Sequence, residues 1–559
     1  MGTLTIIFAN AVLLTISIVW GHSQYWSLDD FFMQSVLTGA YGGTLDSHLY
    51  FVSSVYAYVL FPFYKAFPSI GWYSIFQTLI VFASFLAICL VMLRKCGPKL
   101  GVAVSFLVLT CISIDFYPHV AFTQCAGVST AAGILVLSYG LSLKEPLTKK
   151  RIAIIACGVA FLGLGMIFRK DMFLLGVPTL GAILLWELLK QRNIIPATLV
   201  SILAVVALFW GLKNSDSLHY TDNGYDRYAA YQPVRAFFGD GDFYDWKAFS
   251  DELEERDMLS RDFRYLSAWY FYDKDIFSVD SLKEKIAIAN RNAYIPNYKK
   301  MPLAILRAVS NNVTSGRFWC WAILCIGLLF FGNHKQRIVP WASFAVLAIA
   351  YGYLLLVNRL VNHVEVGAWL YATIILLNAI DGKSVLHSRF SKHYTHTLYA
   401  IAIASLFLLG IQQVVGIDHN KNAIASKENV DWEGFLDYAA RHPDNVFMLS
   451  FDRYKDLAKK QGRPFRATKA GSLNNIFSFG YWNILLPPME RELEKRGVKN
   501  PMHDIVNSNV YVAGDAMGMS LAPFYKDHYH KKLSIDTVMF FGSMPLLTYK
   551  LREGENEVP

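Results

Sequence analysis

The chain has 559 residues, of which 54% are hydrophobic, 15% aromatic and only 17% charged. Soluble globular chains are about 45–50% apolar and about 25% charged, so a set of soluble domains is excluded, as are intrinsic disorder, a collagenous repeat and a cysteine-stapled secreted scaffold. The net charge of +9 lies largely in short loops between apolar runs, where membrane topology explains it better than nucleic-acid binding does.

Apolar runs of about 17–25 residues are long enough to cross a bilayer. In chain order they are expected at Leu4–Trp20, Tyr73–Leu93, Gly101–Ile114, Gln124–Leu143, Ile152–Phe168, Met172–Leu189 and Ile195–Leu212, then at Trp319–Phe331, Val339–Val357, Val366–Ile380 and Thr397–Ile417. The first has neither a basic leader nor a small-residue cleavage site and reads as an uncleaved span. The segment His48–Phe67 is apolar enough to cross, yet Pro62 and Lys65 break it, Pro68 follows it, and it is rich in Tyr and Phe.

Charge decides the matter. If His48–Phe67 stays on one side, five basic short loops all face the cytoplasm: Arg94/Lys95/Lys99, Lys144/Lys149/Lys150/Arg151, Lys190/Arg192, Lys335/Arg337 and Lys383/Arg389/Lys392. The positive-inside rule requires that arrangement, so this segment is expected to form an aromatic helix, or a helix pair, along the outer interface.

The sequence therefore predicts a mostly α, polytopic membrane protein with about eleven transmembrane helices. The N-terminus is cytoplasmic, and interfacial helices occupy the first outer loop. The membrane domain is expected over residues 1–417, with outer loops at 21–72 and 213–318. A small extracytoplasmic α/β domain follows over 418–559, where short apolar runs such as Val446–Phe451 and Asn509–Ala513 alternate with helical patterns such as Asp431–Ala440. All seven cysteines lie in or beside the apolar runs and none forms a CxxC pair, so neither structural disulfides nor zinc are expected. No internal repeat of the kind found in many transporters stands out.

The first outer loop carries the strongest chemical signal, SQYWSLDDFFMQSVLTGAYGGTLDSHLYF. Asp29 and Asp30 are adjacent carboxylates in apolar surroundings, where mutual repulsion and poor solvation raise one pKa, so the pair could act as a base or hold a cation. The plainer reading is a helix start, for which Asp before an amphipathic run is common. Asp46 and His48 add a second acid and an imidazole after Gly42-Gly43. In FRKDMF, Arg169 and Lys170 stand at an outer membrane edge where basic residues are rare, which suggests an anion to be held, such as a lipid phosphate; a plain polar hairpin would also use them. VNRLVNHVEV is a similar exception and supplies Arg359, His363 and Glu365. His119, Thr123 and Gln124 are candidate hydrogen-bonding groups for sugar or phosphate, with a structural role the plainer alternative. In the large loop, Arg235, Asp240 and Asp242 lie among aromatics, as suits carbohydrate recognition or a solvated loop equally. NNIFSFGYWNILLPP in the tail, with Asn475, Gly480, Trp482 and Pro487, reads as a turn joined to an aromatic anchor.

A first span, an outward loop with an acidic pair, interfacial helices and a basic exit from the next span are similar to the GT-C membrane glycosyltransferases. The strings LDDFFMQSVLTGAYGGTLDSHLYF and LFPFYKAFPSIGWY resemble cell-envelope members of that superfamily, and FTQCAG, FRKD and AYQPVRAFFGD look like further parts of the pattern. The resemblance implies a sugar donor carried on a polyprenyl phosphate, a glycan or lipid acceptor on the outer side, and inversion at the anomeric carbon. It implies Asp29 or Asp30 as the base, and Arg169, assisted by Lys170 and Arg359, as the holder of the donor phosphate. Asp46, His48, His119, Thr123, Gln124, His363, Glu365 and Arg235 are then expected at the substrates. No second metal motif is evident, so metal independence is favoured; a divalent cation such as Mg or Mn would use Asp29, Asp30 and Asp46. The rival readings are a polymerase or ligase of lipid-linked polysaccharide, which would rely on arginine and histidine in the large loop, and a polysaccharide or lipid transporter.

Overall fold

The structure, a computed structural model, describes residues 2–19, 23–143, 148–239, 250–255, 259–291, 301–357, 359–381, 429–514 and 521–552. The expected span Thr397–Ile417 and the acids Asp240 and Asp242 lie outside the described residues.

The protein is mostly helical and membrane-spanning. Each of the earlier expected spans has its helix: α1 (Gly2–Val19), then, after a short strand β1 (Gln24–Tyr25) and two helices α2 (Leu28–Leu37) and α3 (Ser54–Ala66), α4 (Trp72–Ile112). Strand β2 (His119–Val120) leads into α5 (Phe122–Ser142), α6 (Lys149–Phe168), α7 (Lys170–Lys190) and α8 (Ile195–His219). The large loop folds into α9 (Tyr225–Gly239), α10 (Ser250–Glu254), α11 (Ser260–Ser267), α12 (Val279–Arg291) and α13 (Met301–Ser310). The bundle resumes with α14 (Gly316–Phe331), α15 (Val339–Leu356) and α16 (Asn362–Ala379). Seven helical segments among the described residues are long and apolar enough to cross a membrane, with α4 extended to Asp115 counted as one.

That helix is two spans folded on each other. Gly97 leaves helical geometry with φ 74°, a left-handed value that costs glycine little, and Pro98 follows it. Across the bend the arms meet, Ser105 Oγ donating to Cys89 O at 3.3 Å, and a Cβ on Gly101 would stand 2.6 Å from Leu93 Cα. The two expected runs Tyr73–Leu93 and Gly101–Ile114 are thus an antiparallel hairpin.

Helix α3 does not cross. It has 13 residues, about 20 Å at 1.5 Å per residue, against the ~30 Å of a bilayer core. Both its ends are tied to one end of the bundle: Ser53 N donates to Ile167 O at the close of α6 (2.8 Å), and Tyr73 N at the start of α4 donates to Tyr64 Oη (3.0 Å). The C-terminal region packs at the same end, where Gly71 N donates to Phe465 O and Leu473 N to Ala40 O, both at 3.0 Å. The described basic short loops gather at the opposite end, where Lys95 Nζ reaches Asn378 O (2.5 Å) and Gln191 Nε2 reaches Ser142 O (3.1 Å); Lys144 and the loop of Lys383, Arg389 and Lys392 lie outside the described residues.

The tail forms a small α/β unit. Helices α17 (Trp432–Arg441), α18 (Phe451–Gln461), α19 (Pro487–Lys495) and α20 (Ala522–Tyr529) accompany strands β3 (Val446–Leu449), β4 (Ile476–Ser478), β5 (Val510–Ala513), β6 (Leu533–Phe541) and β7 (Met544–Leu551). The sheet order is β4-β3-β5-β7-β6; the first three strands are parallel, and β6–β7 is an antiparallel hairpin joined to β5 through β7. Strands β3 and β4 are buried along their length, as short continuous apolar runs lead one to expect.

Candidate active site

Helix α2 begins at Ser27, which is its N-cap, and carries Asp29 and Asp30 in the first turn. There the unpaired amides of a helix start favour negative charge. Neighbouring residues on a helix are about 100° apart, so the two carboxylates point in different directions. Asp30 is fully buried. Its Oδ1 accepts from the Tyr73 hydroxyl (3.0 Å) and from Phe122 N (3.1 Å), and its Oδ2 accepts from Ser27 Oγ (3.2 Å). Burial pushes its carboxyl up to about 7 despite these donors.

Asp29 is half-buried and lines a cavity of about 760 Å³. Its Oδ1 accepts from Tyr481 Oη (2.7 Å) and Trp482 Nε1 (2.9 Å), both from the loop after β4. Burial holds the Tyr481 phenol well above its ordinary pKa, so it stays a donor.

Arg169 lines the same cavity. It is the single extended residue between α6 and α7, which is why a charged side chain sits there without being carried along a membrane helix. Its Nη1 donates to Thr123 Oγ1 (2.6 Å), and its guanidinium lies over the Phe122 and Phe51 rings, 5.4 and 5.9 Å from their centroids. Burial lowers its pKa, while Asp171 and Asp29 nearby work the other way; an arginine remains a cation through such a change. Arg359, His363 and Asp171 line the cavity as well.

The cavity has two kinds of wall. On one side it is a slot between two membrane helices, α7 (Leu174, Leu175, Pro178) and α15 (Val346, Ile349, Ala350, Tyr353). On the other it is aromatic, with Tyr50, Trp269, Phe451, Tyr481 and Trp482 contributed by the first loop, the large loop and the tail. Trp269 holds a left-handed backbone (φ 64°), rare for a bulky residue and concentrated where function over-determines the chain. It also requires its neighbour: a Cβ on Gly480 would lie 1.7 Å from Trp269 O.

Other candidates lie elsewhere, each for a visible reason. Lys170 is turned away from the cavity and pairs with Asp216 Oδ2 (2.7 Å), whose Oδ1 accepts from Ser53 Oγ (2.8 Å) and Ser54 N (3.1 Å) at the start of α3. It is a clamp between α7, α8 and α3 rather than a cavity cation. Arg235 is fully buried, donating to Gln232 Oε1 and Gly480 O, each at 3.0 Å, with Trp482 stacked 4.1 Å from its guanidinium. It supports the aromatic wall from behind. Glu365 accepts from Asn312 Nδ2 (2.6 Å) and the Tyr351 hydroxyl and faces Arg317 (3.5 Å), so it ties α16 to α14 and α15. Asp46 accepts from His48 Nδ1 (2.6 Å) and Tyr225 Oη. Burial would raise that carboxyl, but the His48 and Tyr225 hydrogen bonds outweigh it and hold it below the ordinary value. His48 is stacked on His219, 4.0 Å between centroids. Asp46 and His48 therefore fasten the first loop to the end of α8. His119 and Gln124 line a separate small void, and Thr123 reaches the cavity only through Arg169. Among the described residues no group of three or more His, Cys, Asp or Glu side chains could hold a metal ion.

The aromatic wall is what reading the sequence missed. Tyr481 and Trp482 lie more than 450 positions after Asp29, and only the anchor-like pairing of aromatics in FGYW hinted at them.

No protein-family model matches the chain, and no curated protein matches it in sequence. In fold it is similar to two crystal structures of ArnT from Cupriavidus metallidurans, one bound to undecaprenyl phosphate and one in the apo state. Each is 11% identical over 97% of both chains, with TM-scores of 0.38 and 0.39 respectively.

Proposed function

We propose that the chain is a membrane glycosyltransferase that moves a sugar from a polyprenyl-phosphate donor to a glycan or lipid acceptor on the outer side of the membrane. The observation that carries this reading is that one cavity joins a carboxylate, Asp29, to two arginines, Arg169 and Arg359, and continues into an apolar slot between α7 and α15. A lipid phosphate asks for that combination: a chain-shaped apolar groove ending at fixed cations.

In this mechanism the donor's tail lies in the slot and its phosphate meets Arg169 and Arg359. Asp29 takes the proton of an acceptor hydroxyl as the oxygen attacks the anomeric carbon from the face opposite the phosphate. The carbon–oxygen bond to the phosphate breaks, the polyprenyl phosphate leaves with the electron pair, and the configuration inverts. Alignment of the hydroxyl and fixed positive charge at the leaving oxygen lower the barrier, the latter by ~3–4 kcal/mol for one well-placed donor. Tyr481 and Trp482 hold Asp29 toward the cavity, while Asp30, spent on Tyr73 and Phe122, anchors α2. We assign neutralisation of the leaving phosphate to the arginines, so chelation by EDTA is expected to leave the rate unchanged. Positive-inside places the basic end in the cytoplasm and the cavity and tail outside. The polymerase or ligase reading relies on arginine and histidine of the large loop, and among the described residues none of these lines the cavity.

The test is transfer of radiolabelled sugar from a polyprenyl-phosphate lipid extract to envelope material in membranes that contain the full chain. Asp29→Asn is expected to lose about 100-fold or more of the rate, with Asp30→Asn retaining most of it. Wild-type transfer by Asp29→Asn would defeat the proposal.

A further inference from the structure

Behind Asp30, away from the large cavity, a small void lies between the start of α4, strand β2 and the start of α5. It is lined by Gln77, Tyr117, His119 and Gln124 together with Val81 and Phe116, and offers about 10 Å³ to the centre of a water molecule. Gln77 and Gln124 are 1% and 2% exposed. Even so, Gln77 Nε2 and Oε1, Gln124 Oε1 and His119 Nδ1 are buried polar atoms without a hydrogen-bond partner among the described residues. Buried polar groups in folded proteins are nearly always satisfied, and these atoms belong to three residues that line one void. A water needs about that much room and two to four polar partners.

We propose that the void is the binding site of one resident water molecule, held by Gln77, Gln124 and His119, which ties strand β2 and the start of α5 to α4. The water donates to Gln124 Oε1 and His119 Nδ1 and accepts from Gln77 Nε2. Burial keeps His119 neutral, with its pKa lowered to about 4, so the ring can accept from a water. The Gln124 amide is already set in orientation, because its Nε2 donates to Asp115 O (2.9 Å). Nothing in this arrangement depends on what the large cavity transfers.

Hydroxyl-radical footprinting of the full chain in lipid nanodiscs, read by mass spectrometry in ¹⁸O-labelled water, tests it directly. Bound water makes radicals in place, so Tyr117 and Phe116, 2% and 3% exposed, are expected to be hydroxylated well above Tyr454 and Phe447, which are fully buried in the tail. The signal is expected to fall to their level in Gln124→Leu. Tyr117 and Phe116 labelled no more than Tyr454 and Phe447 in the wild type would overturn the site. Should Gln124→Leu fail to fold, Gln124→Met, which keeps the length of the side chain and removes its carbonyl, is expected to give the same fall, and unchanged labelling there counts equally against the site.

Discussion

Removing the charge of Asp30 changes how the whole chain responds to pH. In the fold its carboxyl titrates at about 7, against 3.8 ordinarily. Below 3.8 it is protonated in both folded and unfolded chains and costs nothing. As pH rises from there, the unfolded chain gives up its proton first and the folded chain loses stability. Above 7 both are ionised and the loss is constant at ~4 kcal/mol, of which ~3 kcal/mol accrues between pH 5 and pH 8. Asp30→Asn keeps an acceptor for Tyr73 and Phe122 and has no proton to lose. With an unfolding entropy that scales with length, 1 kcal/mol moves the Tm of so long a chain by about 1 °C. Thermal unfolding in detergent, followed by intrinsic fluorescence at pH 5 and pH 8, should therefore show the wild type losing about 2–3 °C relative to Asp30→Asn on going to the higher pH. Parallel shifts of the two proteins would refute the buried, neutral-leaning state of Asp30.

Neighbouring cations should separate by readout: Lys170→Met, which breaks the clamp to Asp216, is expected to lower stability by ~1–2 kcal/mol in thermal unfolding with the donor KM unchanged, whereas Arg169→Ala raises the donor KM and lowers kcat without a comparable loss of Tm. The reverse pattern would exchange their roles. Gly480→Ala forces a methyl group into the Trp269 carbonyl and should cost ~2–4 kcal/mol, seen as a lowered Tm together with faster proteolysis in the large loop; a wild-type Tm would contradict the close approach. Ala350→Trp fills the slot between α7 and α15 and should abolish binding of polyprenyl phosphate in a tryptophan-quenching titration, while Ala350→Gly retains it.

Much of the bundle was legible because apolar run length and loop charge are physical requirements of a bilayer. Even the ambiguous His48–Phe67 yielded to charge parity, and α3 lies at one end of the bundle as that parity demands. The tail's strands were equally plain in Val446–Phe451 and Asn509–Ala513, since a buried parallel strand is a short apolar run. The site was legible in part. Arg169 stood out because basic charge is out of place at an outer membrane edge, and Asp29 because it belongs to a pair of adjacent carboxylates in apolar surroundings. Asp29 and Asp30, adjacent in sequence, could not be told apart there, since the difference lies in what each oxygen meets: Tyr481 and Trp482 for one, Tyr73 and Phe122 for the other. Lys170, Arg235, Glu365, Asp46 and His48 share the composition of a binding site but are absorbed by partners far along the chain, Asp216, Gly480, Asn312 and Tyr225 among them. Pairings of that length leave no trace in local spacing.

The most direct measurement is a density map of the full chain in nanodiscs with a polyprenyl-phosphate sugar bound. The account predicts phosphate density at Arg169 and Arg359, the lipid tail between α7 and α15, and the sugar's anomeric carbon turned toward Asp29. A phosphate seated away from both arginines, or a sugar with Asp29 on the far side of a wall, would contradict it.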